Sequence, residues 1–131
     1  MKEKDIKVLI VDDETDFANT LAQRLKIRNF KVGTAYDGEE ALTRLKEDEP
    51  DVVVLDLRMP GMHGMEVLQE MRKGYPDIQV IVLTGHGTDK DEEEAKRLGG
   101  FGFLNKPVDI DILEQKIKAA FNEKMGRTMP A

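Results

Sequence analysis

Three short stretches constrain this chain more than any other feature. Ile6-Lys7-Val8-Leu9-Ile10-Val11, Val52-Val53-Val54-Leu55 and Ile78-Gln79-Val80-Ile81-Val82-Leu83 are β-branched and almost unbroken in hydrophobicity. A strand with one wet face alternates apolar and polar residues, whereas a strand covered on both faces does not. These three runs therefore read as the interior of a sheet flanked by helices on both sides. Phe30-Lys31-Val32-Gly33-Thr34-Ala35 mixes polar and apolar positions, and Phe101-Gly102-Phe103-Leu104 is short and contains glycine, so both read as edge strands. Between the runs, apolar residues recur at helical spacing: Phe17/Leu21/Leu25, Ala41/Leu42/Leu45, Met65/Leu68/Met71 and Leu113/Ile117/Ala120/Phe121. Strand and helix alternate five times, which predicts right-handed crossovers and a parallel α/β sheet. With strands two and five at the edges, the order is 2-1-3-4-5, a doubly wound sheet whose switch point lies between strands one and three. Ligands of such sheets bind at that point, beyond the carboxyl ends of the strands.

Helix punctuation agrees with this layout. Asp37-Gly38-Glu39-Glu40 and Thr88-Asp89-Lys90-Asp91 resemble capping boxes, and Gly74 with Pro76, and Gly99-Gly100, supply helix stops. The fourth helix, at about residues 88–98, has only Ala95 and Leu98 as apolar anchors and is predicted to be the least firmly docked. The fifth is expected over roughly 109–124, which gives one domain over residues 1–125 and a tail or linker stub over 126–131. With 40% hydrophobic and 35% charged residues, the chain has both a core and a charged surface, which excludes disorder. Its 20 basic and 26 acidic side chains leave a formal charge of -6, which offers no general attraction for nucleic acid or anionic lipid. The absence of cysteine excludes thiolate metal sites, disulfides and cysteine nucleophiles. The charged N-terminus leads into only six mostly apolar residues, too few for a signal peptide or a membrane span, so a cytoplasmic address is expected.

The predicted carboxyl edge is polar at the ends of strands one, three, four and five. Strand one ends in Asp12-Asp13, strand three in Asp56, strand four in Thr84, and strand five runs through Asn105 to Lys106-Pro107. Each has an ordinary reading when taken singly: Asp13 as a helix cap, Asp56 as a turn residue before Pro60-Gly61, Thr84 as a strand terminus, Lys106 as a solvated amine. The topology brings them together, with the three aspartates flanking the switch point. Three carboxylates in one crevice repel unless one is protonated or a cation intervenes, and an all-oxygen set suits Mg²⁺. A carboxylate beside such an ion, faced by an ammonium and a hydroxyl, is equipment for phosphoryl transfer. Asp56 is the nucleophile in this reading, Asp12 and Asp13 hold the metal, and Lys106 and Thr84 contact the phosphoryl oxygens.

These features resemble the receiver domains of bacterial two-component response regulators. The resemblance rests on Val11-Asp12-Asp13-Glu14, Leu55-Asp56-Leu57-Arg58-Met59-Pro60-Gly61-Met62, Leu83-Thr84-Gly85 and Phe103-Leu104-Asn105-Lys106-Pro107, in this order at successive strand ends, and covers about residues 5–122. It implies a phosphoacceptor rather than a turnover enzyme, in which Asp56 takes a phosphoryl group from a histidine kinase or histidine phosphotransfer protein. It further implies that Asp13, Asp56 and the Arg58 carbonyl bind Mg²⁺, that Asp12 acts largely through water, and that the Lys106-Pro107 bond is cis. Phe103 matches the family's switch aromatic, although it also reads as an ordinary strand-five core residue. Thr84, Phe103 and the soft fourth helix predict an output surface of helix four, strand five and helix five. The target of that surface, whether an effector domain or another protein, is not encoded in recognisable form. After the fifth helix too few residues follow for an effector domain, which fits either a stand-alone or an excised receiver.

His63 departs from the pattern where the family commonly has aspartate, and an altered loop polarity is expected there. Arg58 and His86 each lie two residues beyond a site residue, Asp56 and Thr84, and are expected to border the water path to an acyl phosphate. The two histidines lack metal-ligand spacing, and Met59, Met62, Met65 and Met71 read as gap-filling residues. Gly85-His86-Gly87 is no phosphate-binding loop. Two other classes use a similar sheet. A haloacid-dehalogenase-like phosphatase wants an aspartate two residues after its nucleophile, where this chain has Arg58. A flavodoxin-like flavin binder wants a Ser/Thr/Gly-rich loop where this chain has Asp12 and Asp13.

Overall fold

The computed structural model describes residues 5–59, 61, 63–85 and 87–128. Five strands, β1 (Lys7–Val11), β2 (Lys31–Ala35), β3 (Val52–Leu55), β4 (Gln79–Thr84) and β5 (Gly102–Asn105), alternate with five helices. The helices are α1 (Thr15–Ile27), α2 (Gly38–Glu47), α3 (Gly64–Gly74), α4 (Asp89–Arg97) and α5 (Ile110–Thr128). All strand pairs are parallel and the order is β2-β1-β3-β4-β5, the doubly wound sheet expected from the hydrophobic runs. Every residue of β3 and β4 is buried, whereas β2 and β5 remain largely half-exposed.

The period-two geometry of a strand divides the core in two. Val8, Ile10, Val52, Val54, Ile81 and Leu83 face one side and meet Leu21 and Leu25 of α1 and Leu113 and Ile117 of α5. Leu9, Val11, Val53, Leu55, Val80 and Val82 face the other and meet Ala41 and Leu45 of α2, Val67, Leu68 and Met71 of α3, and Ala95 of α4. Two-sided coverage is why these strands carry no polar alternation.

The helices differ in how firmly they are seated. Burying a leucine or isoleucine side chain contributes ~1.5–3 kcal/mol, and one methyl group on the order of 0.8 kcal/mol. α5 contributes Leu113, Ile117 and Ala120 to the core, while Ala95 is the buried residue of α4. α4 is therefore the soft element, as its sequence predicts. Its ends are nevertheless well defined. Thr88 accepts from the Asp91 amide and Asp91 accepts from the Thr88 amide, each at 3.1 Å. At the other end Gly99, at φ 97°, donates to Lys96 and Gly100 donates to Ala95, a Schellman stop.

Several local details differ from the sequence reading. Asp37 caps α2 by accepting from the Glu40 amide, but Glu40 reaches one residue further back and accepts from the Tyr36 amide at 2.8 Å. α3 closes at Tyr75 just before Pro76, with Gly74 still helical. α5 continues to Thr128, past the 124 expected, because Gly126 is tolerated in a turn already propagating from a well-packed helix. Lys124 helps seat this end: its ammonium lies 2.6 Å from Asp51, whose other oxygen accepts the Lys7 amide at the start of β1.

Candidate phosphoacceptor site

The sheet ladder continues past the strands and fixes the site. The Asp12 amide donates to Ala35 at 3.0 Å and the Asp56 amide donates to Val11 at 2.9 Å, so both aspartates are held as extensions of β1 and β3 above the switch point. The Lys106 amide likewise donates to Thr84 at 2.9 Å, extending the β4–β5 pairing. The Lys106-Pro107 peptide bond is cis, as the resemblance implies. Asp12, Asp13, Asp56, Thr84 and Lys106 are thus assembled at one edge. An open cleft of about 330 Å³ there is lined by Asp13, Glu14, Asp56, Arg58, Gly85 and Lys106. A broader depression, about 830 Å³, lies over the charged side chains of α4, but only exposed or half-buried ionic groups line it.

One oxygen each from Asp12, Asp13 and Asp56 lies within 4.8 Å of the others. Asp12 and Asp56 are buried, at 2% and 5% exposure, while Asp13 is half-buried. Burial pushes the Asp12 carboxyl above its ordinary range, and the charge of Asp56 adds to this; the Lys106 ammonium and the Glu14 amide pull the other way without cancelling it. Burial also works against the charged form of Lys106, but its bonds to Asp12 and Glu14 outweigh that effect and hold its pKa above the usual value. The lysine is therefore charged, and one ammonium stands against four carboxylates. That surplus of negative oxygen is a donor set fitted to a hard divalent ion.

Lys106 leans toward β1 rather than toward Asp56. Its Nζ lies 2.7 Å from Asp12 and 2.6 Å from Glu14, 4.3 Å from the centre of the Phe17 ring, and 3.9 Å from Asp56.

Thr84, at the end of β4, is fully buried. The reason is Gly87. A Cβ at that position would lie 2.6 Å from Cζ of Phe103 and 2.9 Å from the Thr84 methyl, so the missing side chain makes room for ring and methyl to pack beneath the β4–α4 connection. Phe103 is partly buried against the α2–α4 side of the core. Gly64 has a comparable role on the other side of the cleft. A Cβ there would meet the Asp56 carbonyl and the Leu57 Cα at 2.5 Å each, so only glycine lets α3 start directly against the chain that carries Asp56.

The Arg58 amide lies 3.4 Å from Asp56 Oδ1, while its half-exposed guanidinium pairs with Asp91 at 3.3 Å, joining the loop after β3 to the first turn of α4. Burial raises the Asp91 pKa, but bonds from Thr88 and the Arg58 charge bring it below the ordinary carboxylate value. His63 caps α3: its Nδ1 accepts from the Met65 amide at 3.1 Å, and Glu66 accepts from the His63 amide at 3.0 Å. The expected change of loop polarity thus takes the form of a helix cap. His86, Pro60 and Met62 lie outside the described residues. The sequence assigns no role at the site to Glu14, Phe17, Gly64 or Gly87, although Glu14 stands in the strand-one motif and Phe17 on the apolar stripe of the first helix. A third consecutive acid in Asp12-Asp13-Glu14 and a glycine two residues after Thr84 were the available signals.

Comparison with known proteins agrees with this geometry. The family model described as Response regulator receiver domain matches residues 8–118. The chain is 39% identical over 128 residues to "Transcriptional regulatory protein GlrR" of Escherichia coli (strain K12), covering 98% of this chain and 29% of that protein. It matches "Transcriptional regulatory protein QseF" of Escherichia coli O157:H7 equally, and so spans under a third of the length of these curated relatives. Among solved structures, a CheY-like response regulator receiver domain protein from Methanospirillum hungatei JF-1 superposes with a TM-score of 0.90 at 26% identity, covering 95% of this chain and 99% of that one. A receiver domain from Clostridium thermocellum gives 0.86 at 36% identity, with 91% and 96% covered. The chain belongs to the response regulator receiver domain family, the phosphorelay receivers of two-component signalling. No helix among the described residues is long and apolar enough to cross a membrane.

Proposed function

We propose that Asp56 is the phosphoacceptor of a Mg²⁺-dependent transfer from a phosphohistidine protein, and that its modification switches the surface of α4, β5 and α5. The observation that carries this reading is the convergence of the Asp12, Asp13 and Asp56 oxygens within 4.8 Å, beside a charged Lys106, at the switch point of the sheet. Asp13, Asp56 and the Arg58 carbonyl would hold the metal directly and Asp12 largely through water. When bound, Mg²⁺ neutralises the carboxylate cluster and the equatorial phosphoryl oxygens. An Asp56 oxygen attacks phosphorus in line. A phosphorus–oxygen bond forms as the phosphorus–nitrogen bond to the donor imidazole breaks, and the departing nitrogen keeps the electron pair. Lys106 bonds a phosphoryl oxygen from one side and the Thr84 hydroxyl from the other.

Drawing Thr84 toward the phosphoryl group disturbs its packing, and that of Phe103, against Gly87, and the lightly anchored α4 is the element free to respond. Arg58, at the rim of the cleft, shields the adduct from water by charge and bulk, which favours slow self-dephosphorylation. The chain is an acceptor that promotes its own modification and hydrolysis, not a turnover enzyme. A phosphatase of the haloacid-dehalogenase type lacks support because the place of its general acid is held by Arg58, a permanent cation paired with Asp91. Residues 1–125 are the receiver in this reading and 126–131 a tail or linker stub, of which 126–128 continue α5.

Intact-mass measurement after incubation with acetyl phosphate tests the assignment. One phosphoryl adduct is expected in Mg²⁺, none in chelator, and none on Asp56→Asn. A full adduct on that variant, or an undiminished adduct rate in chelator, contradicts it.

A further inference from the structure

The Lys106 ammonium makes its close contacts with Asp12 and Glu14 rather than with Asp56. Among the described residues, Glu14 at 2.6 Å and Asp12 at 2.7 Å are within hydrogen-bond range, the Phe17 ring supports it from 4.3 Å, and Asp56 at 3.9 Å is out of range. Asp12 belongs to the acidic cluster, but Glu14 does not. Glu14 is the N-cap of α1, but its side chain makes no capping bond. Its carboxylate reaches across the cleft mouth instead, 64% exposed, and holds the lysine.

We propose that Glu14 is a positioning residue which, with Phe17, parks the Lys106 ammonium away from Asp56, so that a phosphoryl group is fully stabilised only after it has drawn the lysine off Glu14. The inference rests on the reading of Asp56 as phosphoacceptor and adds a regulator to that site. An ammonium has three donors. One stays with Asp12, and the one now given to Glu14 passes to a phosphoryl oxygen. The exchange favours the phosphoryl group because its dianionic charge exceeds that of one carboxylate. It is readily reversed because a largely exposed ion pair is weak. Glu14 therefore lowers the affinity of the empty site for a phosphoryl group by a modest factor and leaves the chemistry intact.

A double-mutant cycle on the full 131-residue chain separates this role from simple repulsion of anions by the Glu14 charge. Beryllofluoride is titrated in saturating Mg²⁺ into the unmutated chain, Glu14→Gln, Lys106→Ala and the double variant. If Glu14 acts through Lys106, Glu14→Gln tightens binding about two- to fivefold when the lysine is present and leaves it unchanged when it is absent. Equal tightening in both backgrounds, or none in either, overturns the proposal. A second readout needs no ligand and covers the case in which Lys106→Ala binds too weakly to titrate. With Lys106 Nζ over the Phe17 ring, the ring current is expected to displace the Lys106 Hε protons upfield and that displacement to shrink in Glu14→Gln; an unchanged lysine signal overturns the proposal. If the unmutated chain shows no Asp56-dependent uptake of beryllofluoride, the phosphoacceptor reading fails and the inference with it. Normal uptake with an additive cycle removes the inference alone.

Discussion

Asp12, Asp13 and Asp56 show how a function is held against the stability of its own site. Two charges about 5 Å apart interact by ~3 kcal/mol at an effective dielectric constant of 20, and here three carboxylates share that radius with a fourth nearby. Removing one of them should help folding while it harms binding. Asp13→Asn is expected to melt above the unmutated chain in chelator, by about 1 kcal/mol or more of added stability. Mg²⁺ at ten times its dissociation constant should stabilise the unmutated chain by ~1.4 kcal/mol, a rise in Tm of about 3–6 °C, and the variant far less. Thermal melts with and without the ion check both expectations, and an equal rise in the two chains would contradict the metal assignment. At this scale the residues that assemble at the site were legible because each stands at the end of a hydrophobic run. Glu14 and Phe17 were not, since their meeting with Lys106 depends on where a flexible side chain settles, more than 85 residues away along the chain. Gly64 and Gly87 were equally hidden: the need for a missing Cβ is a property of the packed neighbour, Leu57 in one case and Phe103 in the other.

Among the elements, α4 is held mainly by its ends. Its first turn depends on Asp91, which accepts from the Thr88 amide and pairs with Arg58 from the loop after β3. Asp91→Ala loses both, at a cost of about 0.5–1.5 kcal/mol at neutral pH. The pH dependence follows from the direction of the shift. The Asp91 carboxyl lies below its usual value in the folded chain, so its contribution is complete above the unfolded value of ~3.9 and is lost as pH falls through the folded one. The stability gap between the unmutated chain and Asp91→Ala should thus be constant from pH 7 to about 5 and shrink below about 4. Urea denaturation across that range measures it, and a gap that widened toward low pH would contradict the arrangement. The capping box of α4 was readable from Thr88 and Asp91 because both partners lie in one turn. Its tie to Arg58 was not, because it bridges two loops. The cap of α3 escaped notice for a different reason: histidine is an uncommon capping residue, and its Nδ1 takes the place of the usual side-chain oxygen.

For the whole molecule, sheet order was the part of the fold most fully legible. Buried β3 and β4 and half-exposed β2 and β5 follow from hydrophobic runs and polar mixing, and four crossovers of one hand leave little freedom in the order. The extent of α5 was less legible, since its last turns are settled by tertiary contacts such as Lys124 with Asp51 rather than by an apolar repeat. The same architecture connects chemistry to output. Asp56 and Thr84 lie at the ends of adjacent interior strands, Thr84 and Phe103 both pack against Gly87, and α4 begins two residues later. The account therefore claims that occupancy of Asp56 is read at α4, β5 and α5 by way of Thr84. Amide hydrogen exchange before and after adding Mg²⁺ and beryllofluoride tests this most directly, with Thr84→Val as the variant that keeps the side-chain shape and removes the hydroxyl. The expected result is altered protection in the first turn of α4, in β5 and in α5 of the unmutated chain, and a loss of that change in Thr84→Val while the site still binds. Changes confined to α1 and α2, or an undiminished response in Thr84→Val, would contradict it.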